Sequence, residues 1–292
     1  MIPDVTLRPL SARNHRVARL ARLAGQRSAR IDEGAFVVEG PTLLAEALAA
    51  GAPVTDVFVA DRVAAEVDID ALLQRALASG ASLYEIDEST LRRSADTVSP
   101  QGVMSVVERR PAASSVLAAT DLVLVLVEVT DPGNAGTLVR AAEAAGAGAV
   151  VATAGTTDLF GPKTVRASAG AVFHVPLVVG NDAAEVLDDL AATGHRRVAT
   201  RVDGGVPYDS VALDRPVALI VGNEAHGLPA ELEAHVDDWV TIPMAGRSES
   251  LNVAMAGSVL CFEALRQRRA AQQDGGNRLD PGRGRAEGSS PP

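Results

Sequence analysis

The chain has 292 residues, of which 47% are hydrophobic and 3% aromatic, and its 27 basic and 37 acidic residues give a formal net charge of −10. An acidic total of this kind argues against binding to nucleic acid. The length suits about two domains, and a single cysteine excludes both an internal disulfide and a cysteine-rich zinc site.

The first residues contain no apolar signal segment. The longest strongly apolar run, residues 122–127, is far shorter than the ~20 residues that a membrane helix needs. The five histidines show no metal-binding spacing. We therefore expect a cytoplasmic protein with no membrane partner and no metal site.

Residues 1–30 form a strongly basic arm, with seven arginines against one acid. The arm carries a charge of +6, which leaves −16 for the rest of the chain. Apolar residues interleaved with Arg13, Arg16, Arg19 and Arg22 predict an amphipathic helix with a basic face. That face is either a solvated surface or a phosphate-binding one, and the pattern alone leaves both open.

Residues 31–110 alternate between strand and helix patterns, which predicts a small α/β domain. The predicted strands are 35–38, 54–59, 82–86 and 103–107, and the predicted helices are 42–50, 69–78 and 89–93. Residues 111–120 are small and uncharged and are interpreted as a linker.

Residues 121–270 are predicted to form a second domain, with a mainly parallel sheet covered by helices. The predicted strands are 122–127, 149–153, 172–178, 197–200, 217–221 and 239–242, and the main helices are 135–145 and 251–268. Residues 271–292 are rich in Gly, Pro and Ser, and we predict a disordered tail.

Three loops of this domain carry residues that packing alone does not require. They contain N-x-G-x-x-x-R from Asn134 to Arg140, G-N-E-x-x-G from Gly222 to Gly227, and I-P-M at 242–244 followed by S-L-N at 250–252. Each loop taken singly is also explained by a turn or a helix cap. In parallel sheets, however, ligands bind where strands end, and all three loops follow predicted strands.

The order of these three motifs resembles the SpoU (TrmH) branch of the SPOUT RNA methyltransferases. The resemblance covers most of residues 31–268 and includes R-A-S-A-G-A at 166–171. F-V-V-E-G at 36–40 and P-Q-G-V at 100–103 are similar to the substrate-binding domain of many members. The resemblance implies S-adenosylmethionine-dependent methylation of a ribose 2′-hydroxyl in structured RNA, by a homodimer whose α/β catalytic domain contains a C-terminal trefoil knot.

The resemblance also assigns roles to residues. It implies that Gly222, Ile242 and Leu251 bind the cofactor through backbone groups, and that Arg140 is catalytic. The supporting residues would be Asn134, Glu224, Ser250 and Asn252. Ala141 departs from the family, in which many members have Thr after the arginine, and we expect no effect on activity.

Two mechanistic questions stay open in the sequence. An arginine remains protonated at neutral pH, so Arg140 is expected to orient the ribose and a phosphate and to stabilise the developing alkoxide, with the proton acceptor unassigned. Glu224 either orients Arg140 or anchors the motif loop through backbone N–H groups. His226 is expected to have no catalytic role.

The substrate is expected to be ribosomal RNA, with transfer RNA as the alternative. We expect this RNA to contact the basic arm through Arg13, Arg16, Arg19 and Arg22. A member that confers antibiotic resistance by methylating large-subunit RNA would be a special case of the first. A non-catalytic RNA-binding dimer is the alternative of another class. An NAD-dependent Rossmann enzyme is disfavoured, because the spacing at Gly133 and Gly136 is G-x-x-G and no acid ends the next predicted strand.

Overall fold

The computed structural model describes residues 6–63, 67–95, 97 and 100–277, which are organised around two β-sheets. The first sheet has five strands in the order β1-β4-β3-β5-β2. Antiparallel β5 pairs with β3 and β2, and the other pairs are parallel. The elements of this unit are β1 (Arg8–Pro9), α1 (His15–Gly25), α2 (Arg27–Asp32), β2 (Ala35–Glu39), α3 (Pro41–Ala49), β3 (Val54–Ala60), α4 (Val67–Ala78), β4 (Ser82–Ile86), α5 (Glu88–Ser94) and β5 (Val103–Glu108).

The basic arm is part of this first unit. The predicted amphipathic helix is confirmed as α1, and its apolar residues Val17, Leu20 and Leu23 are buried in the core. Arg8 of β1 pairs with Tyr84 of β4 at the edge of the sheet. Burial of its apolar stripe fixes α1 to the first unit, so the helix predicted as part of a basic arm ending at residue 30 packs against residues 31–110.

The second sheet has seven parallel strands in the order β10-β12-β9-β11-β6-β7-β8. The predicted parallel α/β unit is thus confirmed. Its elements are β6 (Leu122–Leu126), α6 (Pro132–Ala144), β7 (Ala149–Ala152), α7 (Pro162–Ala167), β8 (Leu177–Val179), α8 (Ala183–Ala192), β9 (Arg196–Thr200), β10 (Val206–Pro207), β11 (Val217–Val221), β12 (Asp238–Thr241) and α9 (Val253–Asn277), with short 3-10 helices at Ser114–Ala119, Ala171–Phe173, Tyr208–Ser210 and Ala230–His235.

Three predicted segments differ from the structure. The strand predicted at 172–178 is a 3-10 turn followed by β8, because Ala169 and Gly170 both have positive φ and reverse the chain there. The linker at 111–120 contains a 3-10 helix that buries Leu117. The tail predicted from 271 begins as helix, since α9 continues to Asn277, and residues 278–292 lie outside the described part of the chain.

Helix α9 runs from the carboxyl ends of the strands of the second sheet to their amino ends. Gly257 packs on α6 so closely that a Cβ there would lie 2.3 Å from Leu138. Ten or so residues further on, the Arg268 guanidinium donates to the carbonyls of Asp121, Leu213 and Arg215, at 2.9, 3.1 and 2.7 Å, beside the starts of β6 and β11. Within the described residues, no helix has the length and apolarity that crossing a membrane requires.

We predict that Leu20→Ala lowers the free energy of unfolding by about 2–5 kcal/mol, because Leu20 is fully buried and its loss leaves a cavity. Urea denaturation measures this change. Leu77→Ala, at a position 40% exposed in α4, is the control and should cost less than about 1 kcal/mol. Equal stability of Leu20→Ala and wild type would show that α1 is not part of the core.

Candidate active site

The three motif loops meet at the carboxyl edge of the second sheet, where β6 and β11 are neighbours. The Asn134 side chain joins them. Its Nδ2 donates to Glu224 Oε1 at 3.0 Å, and its Oδ1 accepts from Asn252 Nδ2 at 3.0 Å. One carboxamide therefore holds the first, second and third motifs in a fixed arrangement.

The Glu224 carboxylate is an anchor for the loop after β6. It accepts from the Thr130 N–H and hydroxyl at 3.2 and 3.1 Å, and from the Asp131 N–H at 3.1 Å. Burial raises the pKa of Glu224, but hydrogen bonds from Asn134 and from backbone N–H groups outweigh it and lower the pKa to about 2. Of the two roles left open by the sequence, these contacts favour loop anchoring over orientation of Arg140.

The G-N-E loop has a tight backbone that requires glycine. Asn223 and Gly227 exchange two backbone hydrogen bonds of 2.9 Å, and the Asn223 side chain accepts from the Ala225 N–H at 2.8 Å. A Cβ on Gly222 would lie 2.5 Å from the Gly227 carbonyl carbon. A side chain at position 222 would therefore displace the opposite arm of the turn.

A cavity of about 670 Å³ opens between this loop and the third motif. The predicted site residues that line it are Gly222, Glu224, Ile242, Ser250, Leu251 and Asn252. Among its charged lining residues acids outnumber bases, since Glu233 and Glu249 join Glu224 against Arg201. The cavity thus combines backbone, apolar surface and negative charge.

Asn134 contacts this cavity only through Glu224 and Asn252, and Arg140 lies apart from it. Arg140 follows Asn134 by six residues in α6, which places it about 240° around the helix from the Asn134 side chain. The Arg140 side chain is exposed and contacts no partner among the residues that the structure describes. A single chain therefore does not bring the predicted catalytic arginine into the cavity.

The sequence reasoning missed the wall of the cavity formed by β9 and β12. The Arg201 guanidinium lies 4.3 Å from the Trp239 ring centroid, and its Nη2 is 3.8 Å from the Glu233 carboxylate. These residues line the cavity because β12 and β9 are neighbours in the sheet. Predicting this wall requires the order of the strands in the sheet, which a single sequence does not reveal.

The arginines predicted to bind RNA are mostly paired within the first unit. Arg16 Nη1 lies 2.8 Å from Asp56, and Arg19 contacts both Asp56, at 3.2 Å, and Glu33, at 2.7 Å. Arg22 also contacts Glu33, whose pKa is lowered by hydrogen bonds from Arg22 and Arg19 despite the opposing effect of burial. Among the four, the exposed Arg13 is the one without a partner in the described ranges. The basic face of α1 consequently carries much less unpaired positive charge than its sequence alone indicates.

Neither the cysteine nor the histidines form a reactive cluster. Cys261 is buried in α9, and burial raises the pKa of its thiol to about 12. In the part of the chain that the structure describes, no three His, Cys, Asp or Glu side chains are grouped so that they could hold a metal ion. His226 lines the cavity as an exposed loop residue.

The chain is similar in sequence and fold to known RNA methyltransferases. Residues 121–262 match the SpoU rRNA methylase family, and residues 14–105 match the MRM3-like substrate binding domain. The 23S rRNA (guanosine(2553)-2′-O)-methyltransferase RlmP of Bacillus subtilis is 34% identical over 252 residues, which are 86% of this chain and 96% of that relative.

Two crystal structures are similar to this chain along nearly their whole length. The AdoMet-bound rRNA methyltransferase from Sinorhizobium meliloti superposes with a TM-score of 0.78 at 31% identity, covering 89% of this chain and 98% of that one. The SpoU methyltransferase AviRb from Streptomyces viridochromogenes, in complex with AdoMet, gives 0.78 at 29% identity, covering 88% and 99%.

We predict that Glu224→Gln lowers the free energy of unfolding by about 1 kcal/mol, a modest loss because the group is exposed. The folded pKa lies below the ordinary value of 4.5, so the stabilisation is present above that pH and is lost as pH falls toward about 2. Urea denaturation of both proteins between pH 7 and pH 2.5 measures the difference.

Glu231→Gln is the control for Glu224→Gln, because it removes the same charge from an exposed glutamate that has no partner in the described residues. It should match wild type throughout the pH range. A Glu224→Gln protein whose stability difference does not shrink in acid would contradict an anchoring role for the ionised carboxylate.

Proposed function

The chain belongs to the SpoU rRNA methylase family, and on that premise we propose that it methylates a ribose 2′-hydroxyl of ribosomal RNA with S-adenosylmethionine. The observation that carries the proposal is the Asn134 carboxamide, which ties all three motif loops together beside the cavity. A domain that only dimerised would not need this arrangement. Large-subunit 23S RNA is the proposed substrate, since the similar RlmP acts on it.

The cavity fits the cofactor. S-adenosylmethionine supplies a methyl group that is already activated on a sulfonium. At about 670 Å³ the cavity lies within the range of about 300–1,000 Å³ typical of small-molecule sites. Gly222, Ile242 and Leu251 would hold the cofactor with backbone groups and apolar surface, and Glu233 and Glu249 complement its positive charge.

The protein's own contribution is mainly alignment. Arg140 would bind the ribose and an adjacent phosphate through its two-pronged guanidinium and stabilise charge that develops on the 2′-oxygen. Asn134, Ser250 and Asn252 would keep the motif loops in register. The pKa of about 2 leaves Glu224 ionised but poorly basic, so it is unsuited to accept the 2′-hydroxyl proton.

We further propose that the enzyme is a homodimer that uses α9. Met255 and Phe262 are 61% and 50% exposed, and their separation of seven residues, about two turns, places them on one stripe of the helix. A second copy would cover this apolar stripe. Arg140 does not line the cavity of its own chain. Either the partner subunit must therefore supply the Arg140 that acts at this cavity, or the bound RNA must place the reacting ribose against Arg140.

The path of the chain supports a trefoil knot at the C-terminal end of the domain. From β11 the chain moves outward past β9 to β12, and α9 then returns to pack against α6 and Val221. The loops 222–229 and 242–252 meet at the cavity along this path. We propose that these segments form the knot, and that the protein works in the cytoplasm, where ribosomal RNA is available.

We predict that Arg140→Ala reduces methyl transfer to 23S RNA by about 10²–10³-fold, because a donor to the developing negative charge is lost. Transfer of radiolabelled methyl measures the rate, and calorimetry with S-adenosylmethionine should show unchanged cofactor binding. Arg215→Ala, at an exposed position preceding β11, is the matched control and should retain full activity. Near-normal turnover of Arg140→Ala would remove Arg140 from catalysis.

We predict that Phe262→Lys converts the dimer to a monomer, since a charge replaces the exposed ring on the α9 stripe. Analytical ultracentrifugation measures the mass. Leu77→Lys places the same charge at an exposed apolar position of the first unit and should remain dimeric. A dimeric Phe262→Lys protein would place the interface elsewhere.

A further inference from the structure

Three arginines gather where the first unit meets the second. Arg27 and Arg30 come from α2, and Arg109 follows β5 directly. They face residues 156–160 of the second unit: Arg27 Nη1 donates to the Thr156 carbonyl at 3.3 Å, and Arg30 Nε donates to Asp158 at 2.7 Å. We call Arg27, Arg30 and Arg109 the seam cluster. Within the described ranges Asp158 is the one carboxylate that pairs with it, so positive charge is in excess.

The excess resides on Arg27 and Arg109, since Arg30 is already paired with Asp158. Arg30 is buried, and besides Asp158 it donates to the Leu23 and Ala24 carbonyls at 2.7 and 3.3 Å. Arg27 is exposed and makes one long hydrogen bond. Arg30 and Arg27 therefore differ in how many of their N–H donors remain available to a ligand.

Arg109 is the member whose hydrogen-bonding capacity is least satisfied. Its guanidinium lies 4.7 Å from the Phe160 ring centroid, and its buried Nε–H has no acceptor in the part of the chain that the structure describes. Burial lowers the pKa of Arg109, and the charges of Arg27 and Arg30 lower it further against the opposing effect of Asp158. A partly buried cation without an acceptor, beside other cations, is stabilised by an incoming anion.

The segment that the seam cluster holds also reaches the candidate active site. The Thr157 N–H donates to the Val129 carbonyl at 2.9 Å, and the Thr156 hydroxyl donates to the Leu126 carbonyl at 2.9 Å, both at the end of β6. Lys163, further along, lies 3.9 Å from Asp131, the residue that caps α6. One short segment thus links the seam cluster to the loop that precedes α6, the helix whose first turn carries Asn134.

We propose that the seam cluster binds a phosphodiester group of the substrate RNA, so that the RNA backbone crosses from the first unit to the second beside the active site. This inference rests on the proposed function. Phosphate oxygens match the forked donors of arginine, and Arg27 and Arg109 offer the donors that are still free. The paired arginines of α1 have less to offer, since Asp56 and Glu33 already occupy them.

The test is the salt dependence of binding to 23S RNA transcribed in vitro. Each phosphate contact contributes about 0.7–0.9 to the slope of log K against log salt concentration. Arg109→Gln should flatten the slope by about that amount, and Arg27→Gln should act likewise. Arg110→Gln is the matched control, because Arg110 is the exposed next residue, is paired with Glu108 at 2.6 Å, and loses the same charge. It should keep the wild-type slope.

A second variant separates anion binding from domain docking. Phe160→Leu removes the ring beneath Arg109 but leaves all charges in place, and it should keep the wild-type slope. Calorimetry with S-adenosylmethionine checks that each variant retains a folded catalytic domain. An unchanged slope in Arg109→Gln, or an equal flattening in Phe160→Leu, would overturn the proposal and leave the seam cluster a purely structural contact.

Inorganic phosphate distinguishes the two sources of the same chemistry. If phosphate raises the melting temperature of wild type but not of Arg109→Gln while the RNA slopes are identical, the site binds a small anion and the RNA assignment is overturned. Methyl transfer by the wild-type enzyme is scored separately. Its absence, together with a flattened slope in Arg109→Gln, would refute the proposed reaction and retain the RNA contact.

Discussion

The arrangement of the candidate site depends on the hydrogen bonds between Asn134, Glu224 and Asn252. Two segments that lie 90 and 118 residues beyond Asn134 in the chain converge on its carboxamide, which donates to the carboxylate and accepts from the second amide. The carboxylate in turn satisfies the N–H groups of Thr130 and Asp131. Backbone groups of loops at a sheet edge need such partners, because no strand continues there to pair with them.

This constraint explains why backbone groups of the loops form much of the surface of the candidate site. The loops must come close enough for short side chains to join them, and glycine permits that approach at position 222. The cavity is consequently lined by loop backbone and apolar side chains, together with charged side chains such as Glu224, Glu233 and Arg201. In the proposed reaction, alignment of the substrate would be the task of cations outside the cavity, namely Arg140 and the seam cluster.

The sequence predicts the local elements well and their spatial relations poorly. Strands such as β6 and β11 are uninterrupted apolar runs, and the motifs that end them are recognisable because their residue types are unusual for turns. The neighbours of those strands are set by contacts distant in the chain, so the wall at Arg201 and Trp239 could not be predicted. The arginines of α1 illustrate the same limit, since their partners Asp56 and Glu33 lie outside the basic segment whose charge was counted. Reversal of the chain at Ala169 and Gly170 was hidden for a different reason: the valines that follow suit a strand equally well.

The span of α9 determines when the cofactor site can exist during synthesis. The helix lines the cavity at the carboxyl ends of the strands. At the amino ends, Arg268 donates hydrogen bonds to the carbonyls of Asp121, Leu213 and Arg215. A nascent chain that has not yet extended past α9 lacks both the hydrogen bonds of Arg268 and the helix face at Gly257 that packs on Leu138. The first unit does not complete its core alone, because Phe36 of β2 packs on Phe160 and Phe173 of the second unit. A product interrupted before α9 would therefore be a partial protein without an assembled cavity at the carboxyl ends of the strands.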